Sequence, residues 1–525
     1  MSPRTFRIRG SASDVPQRQW STTDQVSVRT VRRLTPGRAR DGVTGELEVA
    51  ADEVVRVELD NGFVLWSRAD DIVRDYGHRS MARDGGDAWE FGTLAPSRER
   101  TEAARAERGL LGLGIKVLEF FGVDLKAKAA RNLGVVLEEK LLKGHPPGLY
   151  RCSLDDSFAL TPLAEDEPIP AAGGPILLFL HGTASSCAGS FGKLWAPDNR
   201  EGQVARERFQ ARYGERVYAF EHRSLTESPL SNALALVERL PAAAEVHLVS
   251  HSRGGLVGEL LCLGGCEQLE TMLPAGHLDA LFAADRTIAE QIGLSPLDEE
   301  AARARDQAYG DDRKRLARLI EAFKTSPIEV KRFVRVACPA RGTTLASGRL
   351  DRWLSVLGFL AEKTTGDGLF ADGVDFLLAV VKERTDPRTL PGLEAMMPGS
   401  ALTRLLQQPQ LVSRADLTVI AGDIEGESLW QKIKIVATDW FYGADHDLVV
   451  NTGSMSGGLR RPEKGARFRK DQGPGVNHFS YFANARSVRW LVAGLGRADR
   501  DDAGFLPIAL AQREEPRWRD AIARS

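Results

Sequence analysis

The chain has 525 residues, of which 42% are hydrophobic and 27% are charged, and its formal net charge is only -2. This length predicts two or three domains of ~150 residues each. A charge near zero gives no electrostatic reason to expect nucleic acid as a partner. The five cysteines form an odd, scattered set, which is typical of reduced thiols and indicates a cytoplasmic protein.

The first ten residues are basic, but no apolar segment follows them, so a normal secretory signal is not expected. No apolar run approaches the ~18 residues that a membrane span needs, and any contact with lipid is expected at the protein surface. Cys262 and Cys266 have the spacing of half a zinc site, without a second Cys or His pair nearby. We therefore expect neither a metal nor a cofactor.

The N-terminal third of the chain divides into two parts. Residues 1–42 are polar and rich in arginine, and they predict a flexible arm. Residues 43–165 contain an alternating apolar run, then Asn61-Gly62, then a second apolar run. An Asn-Gly pair between two strand-like runs is a strong hairpin signal. The pattern indicates a small α+β module of unknown role.

Residues 166–500 alternate strands with helices. Strands are predicted at Pro175–Leu180, Arg216–Glu221, Glu245–Val249, Arg332–Ala337 and Leu417–Ala421. This alternation implies a mostly parallel sheet with helices on both faces, which is an α/β fold. Helical cap insertions are expected at 269–328 and 346–386, and residues 501–525 are expected to form a C-terminal tail.

The strand Glu245–Val249 runs into the stretch 250–255, and an apolar helix follows. Strand, sharp turn and helix are the context that a nucleophile elbow requires, and Ser252 lies at the centre of this turn. The residues two before and two after the serine must be small. Gly254 satisfies this requirement, and Ser250 replaces the usual glycine. The alternative is a serine-rich turn that precedes a helix by chance.

The first core strand ends in His181-Gly182-Thr183, which resembles the oxyanion loop of lipases and esterases. Gly182 lets the backbone approach a substrate closely. The backbone N–H groups of Thr183 and Arg253 would then hold the oxyanion. We expect His181 to brace the loop rather than act as the base, because it precedes the nucleophile.

A general base is expected after the last strand, and His478 lies in a loop before the final helix. The alternative is a surface histidine. The favoured carboxylate to orient this base is Asp447, which directly precedes an apolar Leu-Val-Val run. Asp423, which follows a predicted strand, and Asp445 are the competing acids. Asp445 and His446 could instead contact a cation such as calcium, although their spacing matches no defined ligand set.

These pieces resemble the α/β-hydrolase superfamily, in its lipase-like branch of bacterial triacylglycerol lipases and related acyl esterases. They occur in the order of that family: residues 181–183, Ser252, Asp447 and His478. Two further stretches, 337–343 and 390–406, look like a turn and a helix of such lipases. The resemblance covers about residues 174–497, and it implies the α/β-hydrolase fold.

In the lipase-like branch, an insertion at the position of 346–386 supplies the lid. Its amphipathic runs are compatible with a mobile lid and with a static cap. Either would make the pocket apolar, which favours an acyl ester over a charged substrate.

The sequence therefore predicts a serine hydrolase that cleaves carboxylic esters, in particular lipid-like acyl esters, through an acyl-enzyme. An acyltransferase or a thioesterase would use the same triad, because the pocket selects the acceptor. A hydrolase fold kept as a scaffold is a third hypothesis, which the complete set of Ser, Asp and His disfavours. In a fourth, the N-terminal module binds a protein partner and regulates the hydrolase, as in multi-domain bacterial effector or signalling proteins.

Overall fold

Two nine-stranded β-sheets form the framework of the described part of the chain. A computed structural model gives the structure of residues 5–14, 24–36, 45–81, 87–91, 93–94, 113–126, 128–164, 166–170, 173–267, 269–282, 297–343, 350–365, 373–424, 449–450, 452–473, 476–497 and 504–508.

The N-terminal sheet comprises the first nine strands: β1 (Thr5–Asp14), β2 (Val26–Thr35), β3 (Gly45–Ala50), β4 (Val54–Leu59), β5 (Val64–Arg68), β6 (His78–Met81), β7 (Asp87–Glu90), β8 (Thr93–Leu94) and β9 (Leu113–Leu125). Its order is β5-β4-β9-β2-β1-β7-β6, with β3 paired to β1 and β8 paired to β9. Helix α1 (Ala69–Tyr76) follows β5, and α2 (Ala129–Leu141) follows β9. This region contains both strands and helices, and its sheet begins at Thr5, before the residues 43–165 that the sequence assigns to the module.

Strands β1 and β2 differ from the flexible arm expected for residues 1–42. Phe6 and Ile8 alternate with arginines along β1, and Val26 and Val28 begin a similar face on β2. One face of each strand therefore packs into the core while the arginines face outward. The arginine content made the segments look polar, although the apolar residues recur with the period of a strand.

The predicted hairpin at Asn61-Gly62 is present between β4 and β5, which pair antiparallel. Gly62 takes a φ of +81°, and its N–H donates to the carbonyl of Leu59 at 2.9 Å. Glycine adopts this left-handed conformation without the steric cost that a Cβ would bring.

The C-terminal sheet comprises the other nine strands: β10 (Gly148–Cys152), β11 (Leu160–Pro162), β12 (Ile176–Leu180), β13 (Val217–Glu221), β14 (Glu245–His251), β15 (Glu329–Val336), β16 (Asp416–Ile424), β17 (Ala466–Gly473) and β18 (Leu506–Pro507). Its order is β11-β10-β13-β12-β14-β15-β16-β17-β18. The six strands from β13 to β17 in this order are parallel, and the strands at both edges are antiparallel. The predicted mostly parallel sheet is confirmed.

Helices connect and cover these strands. They are α3 (Cys187–Phe191), α4 (Arg200–Tyr213), α5 (Pro229–Val237), α6 (Gly254–Leu261), α7 (Leu269–Met272), α8 (Ala275–Phe282), α9 (Glu299–Thr325), α10 (Leu350–Thr365), α11 (Val374–Glu383), α12 (Pro391–Glu394), α13 (Ala401–Leu406) and α14 (Ala485–Gly496), with 3₁₀ turns at Gly192–Trp195, Cys262–Gly265, Pro387–Thr389 and Thr452–Ser456. Helices α5, α6 and α9 pack together, and α4 packs with α14. Both faces of the central strands are thereby buried, which explains the apolar run of β12.

Two strands of the C-terminal sheet, β10 and β11, lie within the range 43–165 that the sequence assigns to the N-terminal module. They pair at one edge of the sheet, where β10 runs antiparallel to β13. The two regions of the chain therefore interlock rather than meet at a single linker.

The second insertion connects the two regions as well. Its helices α10 and α11 pack against strands of the N-terminal sheet. The backbone N–H of Trp66 donates to Ser355 Oγ at 3.0 Å, and Lys382 Nζ donates to the carbonyl of Asp52 at 2.9 Å. The segment predicted as a lid or cap is therefore bonded on one side to the N-terminal module.

Candidate active site

The turn between β14 and α6 has the geometry of a strained elbow. Ser252 follows the last residue of β14 and takes a φ of +52°, although it is not a glycine. Its N–H donates to the carbonyl of Val336 at 2.9 Å, and its own carbonyl accepts from the N–H of Gly255. A backbone held in this sparsely populated region is typical of functional sites, because the surrounding structure must impose it.

Close backbone contacts around the elbow explain its glycines. A Cβ at Gly254 would lie 2.3 Å from the carbonyl oxygen of Leu180, so only glycine fits there. A Cβ at Gly182 would lie 2.9 Å from Ser252 Cβ, which shows how closely the 181–184 loop approaches the serine. Ser250 is fully buried beside Leu180 in the sheet, so serine fits at the position where a glycine is usual.

Contacts with Ser224 and Met396 hold the 181–184 loop in place. Ala184 takes a φ of +47°, and its N–H donates to Ser224 Oγ at 2.9 Å. Thr183 is buried, and its hydroxyl lies 3.3 Å from the sulfur of Met396. Thr183 and Arg253, the two predicted backbone donors, thus belong to the two segments that meet at Ser252.

The side chain of Arg253 is fully buried and ties the elbow to two other loops. Its Nε donates to the carbonyl of Gly392 at 3.2 Å, and its Nη2 donates to the carbonyl of Glu227 at 2.5 Å and to Asn232 Oδ1 at 3.0 Å. Burial lowers the pKa of Arg253 to about 10, and the nearby carboxylates of Glu138 and Glu227 oppose this shift. The guanidinium therefore stays charged and anchors the turn.

His181 makes hydrogen bonds to the backbone through both ring nitrogens. The N–H of His222 donates to His181 Nε2 at 3.1 Å, so Nδ1 carries the proton and donates to the carbonyl of Gly182 at 2.9 Å. The His181 ring also stacks on His222 with a centroid distance of 3.9 Å. Burial lowers the pKa of His181 to about 3. This arrangement supports the bracing role expected for it.

His478 is buried in the loop before α14, and His251 connects this loop to the elbow. The carbonyl of His478 accepts a hydrogen bond from His251 Nε2 at 2.7 Å. The other nitrogen of His251 therefore accepts from the hydroxyl of Ser190, at 3.2 Å. The hydroxyl oxygen of Ser190 in turn accepts from the N–H of Gly182 at 3.2 Å. A continuous chain of hydrogen bonds thus joins the 181–184 loop, the elbow and the loop of His478.

Of the acids predicted to orient the base, only Asp423 lies within the described residues. Asp445, His446 and Asp447 lie outside the described residues. Asp423 lies in β16, in register with Gln472 of β17. The structure therefore brings together the elbow, the 181–184 loop and the loop of His478, and the choice of acid stays a prediction.

Sequence reasoning missed several residues that hold these loops. His251 lies inside the elbow motif. Its position next to the nucleophile could have indicated that its ring connects the elbow to a neighbouring loop. Ser190 and the side chain of Arg253 carry no local signal, because their partners are distant in the chain.

The cysteines have no catalytic environment. All five are free thiols, and burial raises the pKa of Cys152 and of Cys338 to about 12. Within the described ranges, no group of three or more His, Cys, Asp or Glu side chains could hold a metal ion. In that same part of the chain, no helix has the length and apolar character that crossing a membrane requires.

A mostly parallel sheet, helices on both faces and a strained serine between a central strand and a helix define an α/β-hydrolase fold. Within this class, the chain belongs to the family described as "Domain of unknown function (DUF7379)". The model of this family matches residues 152–273 and 314–496, which is more than half of the chain. Among curated proteins, no sequence match was found.

Several solved structures are similar to the chain. A lipase from Bacillus licheniformis in its mature form is 16% identical, with 61% of this chain and 89% of that chain covered, at a TM-score of 0.27. Phospholipase PlaB from Legionella pneumophila is 12% identical, with coverages of 67% and 64% and a TM-score of 0.33. Esterase B from Lactobacillus rhamnosis is 12% identical, with coverages of 66% and 81% and a TM-score of 0.25. The fold assignment rests on the sheet order and the elbow of this chain.

Proposed function

We propose that the chain is a serine hydrolase that cleaves carboxylic esters through an acyl-enzyme. The observation that carries the proposal is the conformation of Ser252, a non-glycine residue with a φ of +52° directly between a central strand and a helix. Such a turn presents a serine hydroxyl above the sheet edge. Gly182 lies against the same serine and brings the 181–184 loop to the place where an oxyanion would form.

In the proposed reaction, Ser252 Oγ attacks the ester carbonyl and forms a bond to its carbon. His478 removes the hydroxyl proton and later gives it to the departing alcohol, while Asp447 orients the ring and Asp423 is the alternative acid. The backbone N–H groups of Thr183 and Arg253 stabilise the tetrahedral oxyanion. Water, activated by His478, then hydrolyses the acyl-enzyme and releases the acid.

We further propose an acyl ester with an apolar chain as the substrate class. Met396, a buried apolar side chain, lies against Thr183 in the loop beside the elbow. The amphipathic helices α10 and α11 add apolar side chains to the insertion that such enzymes use as a cover. A pocket of this kind favours an uncharged acyl chain over a charged substrate.

The test is a panel of p-nitrophenyl esters, from acetate to palmitate, with wild type, Ser252→Ala and the exposed control Ser157→Ala. We expect wild type and the control to hydrolyse at least one ester. Ser252→Ala should lose on the order of 10⁶-fold in kcat, because the nucleophile acts as a unit with its base. Equal activity of Ser252→Ala and wild type would refute the proposal.

A further inference from the structure

The loop that follows β13, residues 224–227, makes hydrogen bonds to three segments around the elbow. Ser224 Oγ accepts from the N–H of Ala184 at 2.9 Å, and the carbonyl of Leu225 accepts from the N–H of Gly392 at 2.9 Å. The carbonyl of Glu227 accepts from the side chain of Arg253. The acceptor groups of this loop therefore fix the 181–184 loop, the segment at Gly392 and the elbow at once.

The donor groups of the same loop converge on a single carboxylate, that of Glu138 in α2. Oε1 of Glu138 accepts from the N–H of Ser224 and, at 2.5 Å, from the N–H of Leu225. Oε2 accepts from the N–H of Thr226 at 3.2 Å and from its hydroxyl at 2.5 Å. Glu138 is only 2% exposed. Three consecutive backbone amides and one hydroxyl thus depend on one buried side chain, and buried donors left without an acceptor would be costly.

Helix α2 is itself fixed in the position that this contact needs. Glu383 of α11 accepts from the N–H groups of Ala129 and Ala130, at 2.9 and 3.3 Å, at the start of the helix. A Cβ at Gly134 would lie 3.3 Å from Thr226 Cγ2, so the helix packs closely on the 224–227 loop. Glu138 therefore approaches from a rigid element rather than from a mobile arm.

We propose that Glu138 is a positioning residue of the active site, acting on the oxyanion donors through the 224–227 loop. The proposal rests on the proposed function. Glu138 holds the amide of Ser224, the Ser224 hydroxyl holds Ala184, and Ala184 is the chain neighbour of Thr183, whose N–H is a predicted oxyanion donor. Such donors act only when they lie 2.7–3.1 Å from the oxyanion, so a small displacement of the loop lowers the rate.

Helix α2 lies outside the region matched by the family model. The residues before 152 supply the acceptor that orders a loop within the site. We therefore expect catalysis to depend on the buried carboxylate that α2 contributes.

The test compares Glu138→Gln and Glu138→Ala with Glu139→Gln in the full chain. Glu139 is the adjacent residue, but its side chain is 60% exposed and 3.7 Å from Arg223. In Glu138→Gln one oxygen still accepts, while the new NH₂ group faces donors, so part of the arrangement remains. Glu138→Ala removes every acceptor.

The measurements are kcat and KM for a short-chain ester, and the inhibition constant of a boronic acid, which forms a tetrahedral adduct with the serine. Rates are expressed per active site, counted with a fluorophosphonate. We expect kcat to fall about 10-fold in Glu138→Gln and about 100-fold in Glu138→Ala, with KM little changed, because misplaced groups affect mainly the transition state. Boronic acid binding should weaken by a similar factor, and Glu139→Gln should match wild type.

Three results would overturn the proposal, and they are distinguishable. If the Glu138 variants titrate fewer sites but keep the wild-type kcat per site, Glu138 only stabilises the fold. If wild type neither hydrolyses esters nor reacts with the fluorophosphonate, the proposed function itself fails and this proposal fails with it. A rise in KM at constant kcat would also contradict a role in positioning the oxyanion donors.

Discussion

Two loops that hydrogen bonds connect to the elbow each contain a buried histidine, but they hold it in different ways. In the 181–184 loop, both ring nitrogens of His181 bond to the backbone, and the ring stacks on His222. In the loop before α14, it is the carbonyl of His478 that is held, by the ring of His251. The first histidine thus fixes a loop through its ring, and the second is fixed through its backbone. We propose that the first histidine supports the site and that the second reacts in it.

The largest expected effect distinguishes these two histidines directly. His478→Ala should lower kcat on the order of 10⁶-fold, because it removes the proposed base. His181→Ala should instead lower the free energy of unfolding by about 2–5 kcal/mol, because it leaves a buried cavity and buried polar groups without partners. Steady-state kinetics and urea unfolding of both variants check this. A His478→Ala protein with wild-type kcat would reverse the assignment.

An intermediate effect, on the free energy of unfolding, is expected at Glu221, an acid beside the 181–184 loop. Its carboxylate oxygens accept from the N–H of Cys187 at 3.0 and 3.1 Å, and burial raises its pKa from 4.5 to about 8. The folded protein therefore keeps a proton on Glu221 that the unfolded chain has lost, so this group makes stability fall as pH rises from about 4.5 to 8.

Glu221→Gln removes this titration and keeps a hydrogen-bond acceptor for Cys187. We expect the variant and wild type to be similar in stability near pH 5. Above pH 5, the free energy of unfolding of the variant should rise relative to that of wild type by up to about 1.4 kcal/mol per pH unit, until the pH passes the pKa of Glu221. Urea unfolding at pH 5, 7 and 9 measures the gap, with Glu215→Gln, on an exposed side chain, as the control. A difference in the free energy of unfolding that does not change with pH would contradict the conclusion that burial raises the pKa of Glu221.

The smallest expected effect comes from the hydroxyl that links the two loops. Ser190→Ala removes the donor to His251 Nδ1 and the acceptor for the N–H of Gly182. The ring of His251 can then change tautomer and release the carbonyl of His478. We expect kcat to fall about 10-fold with KM unchanged, which corresponds to about 1.4 kcal/mol of barrier.

The matched control for this link is Ser185→Ala. Its hydroxyl lies 3.3 Å from Ser190 Oγ, but it bonds neither Gly182 nor His251. Ser185→Ala should therefore stay close to wild type in kcat. Equal losses in both variants would show that the hydroxyl cluster, rather than the link through Ser190, sets the rate.

The sequence predicted the strands β12 to β16 of the C-terminal sheet and the elbow because their signals are local. The strand at 245–251, the tight turn and the helix follow each other directly, and β12 is an uninterrupted apolar run. Strands β1 and β2 were missed because outward arginines interrupt their apolar faces. Alternation was present at Phe6 and Ile8 in β1 and at Val26 and Val28 in β2, but the arginine-rich composition hid it.

The residues that support the site could not be predicted in the same way. Glu138 bonds to a loop 86 to 88 positions further along the chain, and Ser190 bonds to His251, 61 positions away. A single acidic residue in a helix carries no sign of a partner that only tertiary packing provides. The favoured acid Asp447 lies outside the described residues, so its assignment over Asp423 stays a prediction from sequence.

The central claim is that Ser252 is a nucleophile activated in its elbow. The most direct measurement is labelling of the full chain with a fluorophosphonate, followed by mass spectrometry of the modified peptide. The account predicts one label, on the peptide that contains Ser252, absent in Ser252→Ala and strongly slowed in His478→Ala. A label that persists in Ser252→Ala, or that maps to another residue, would contradict it.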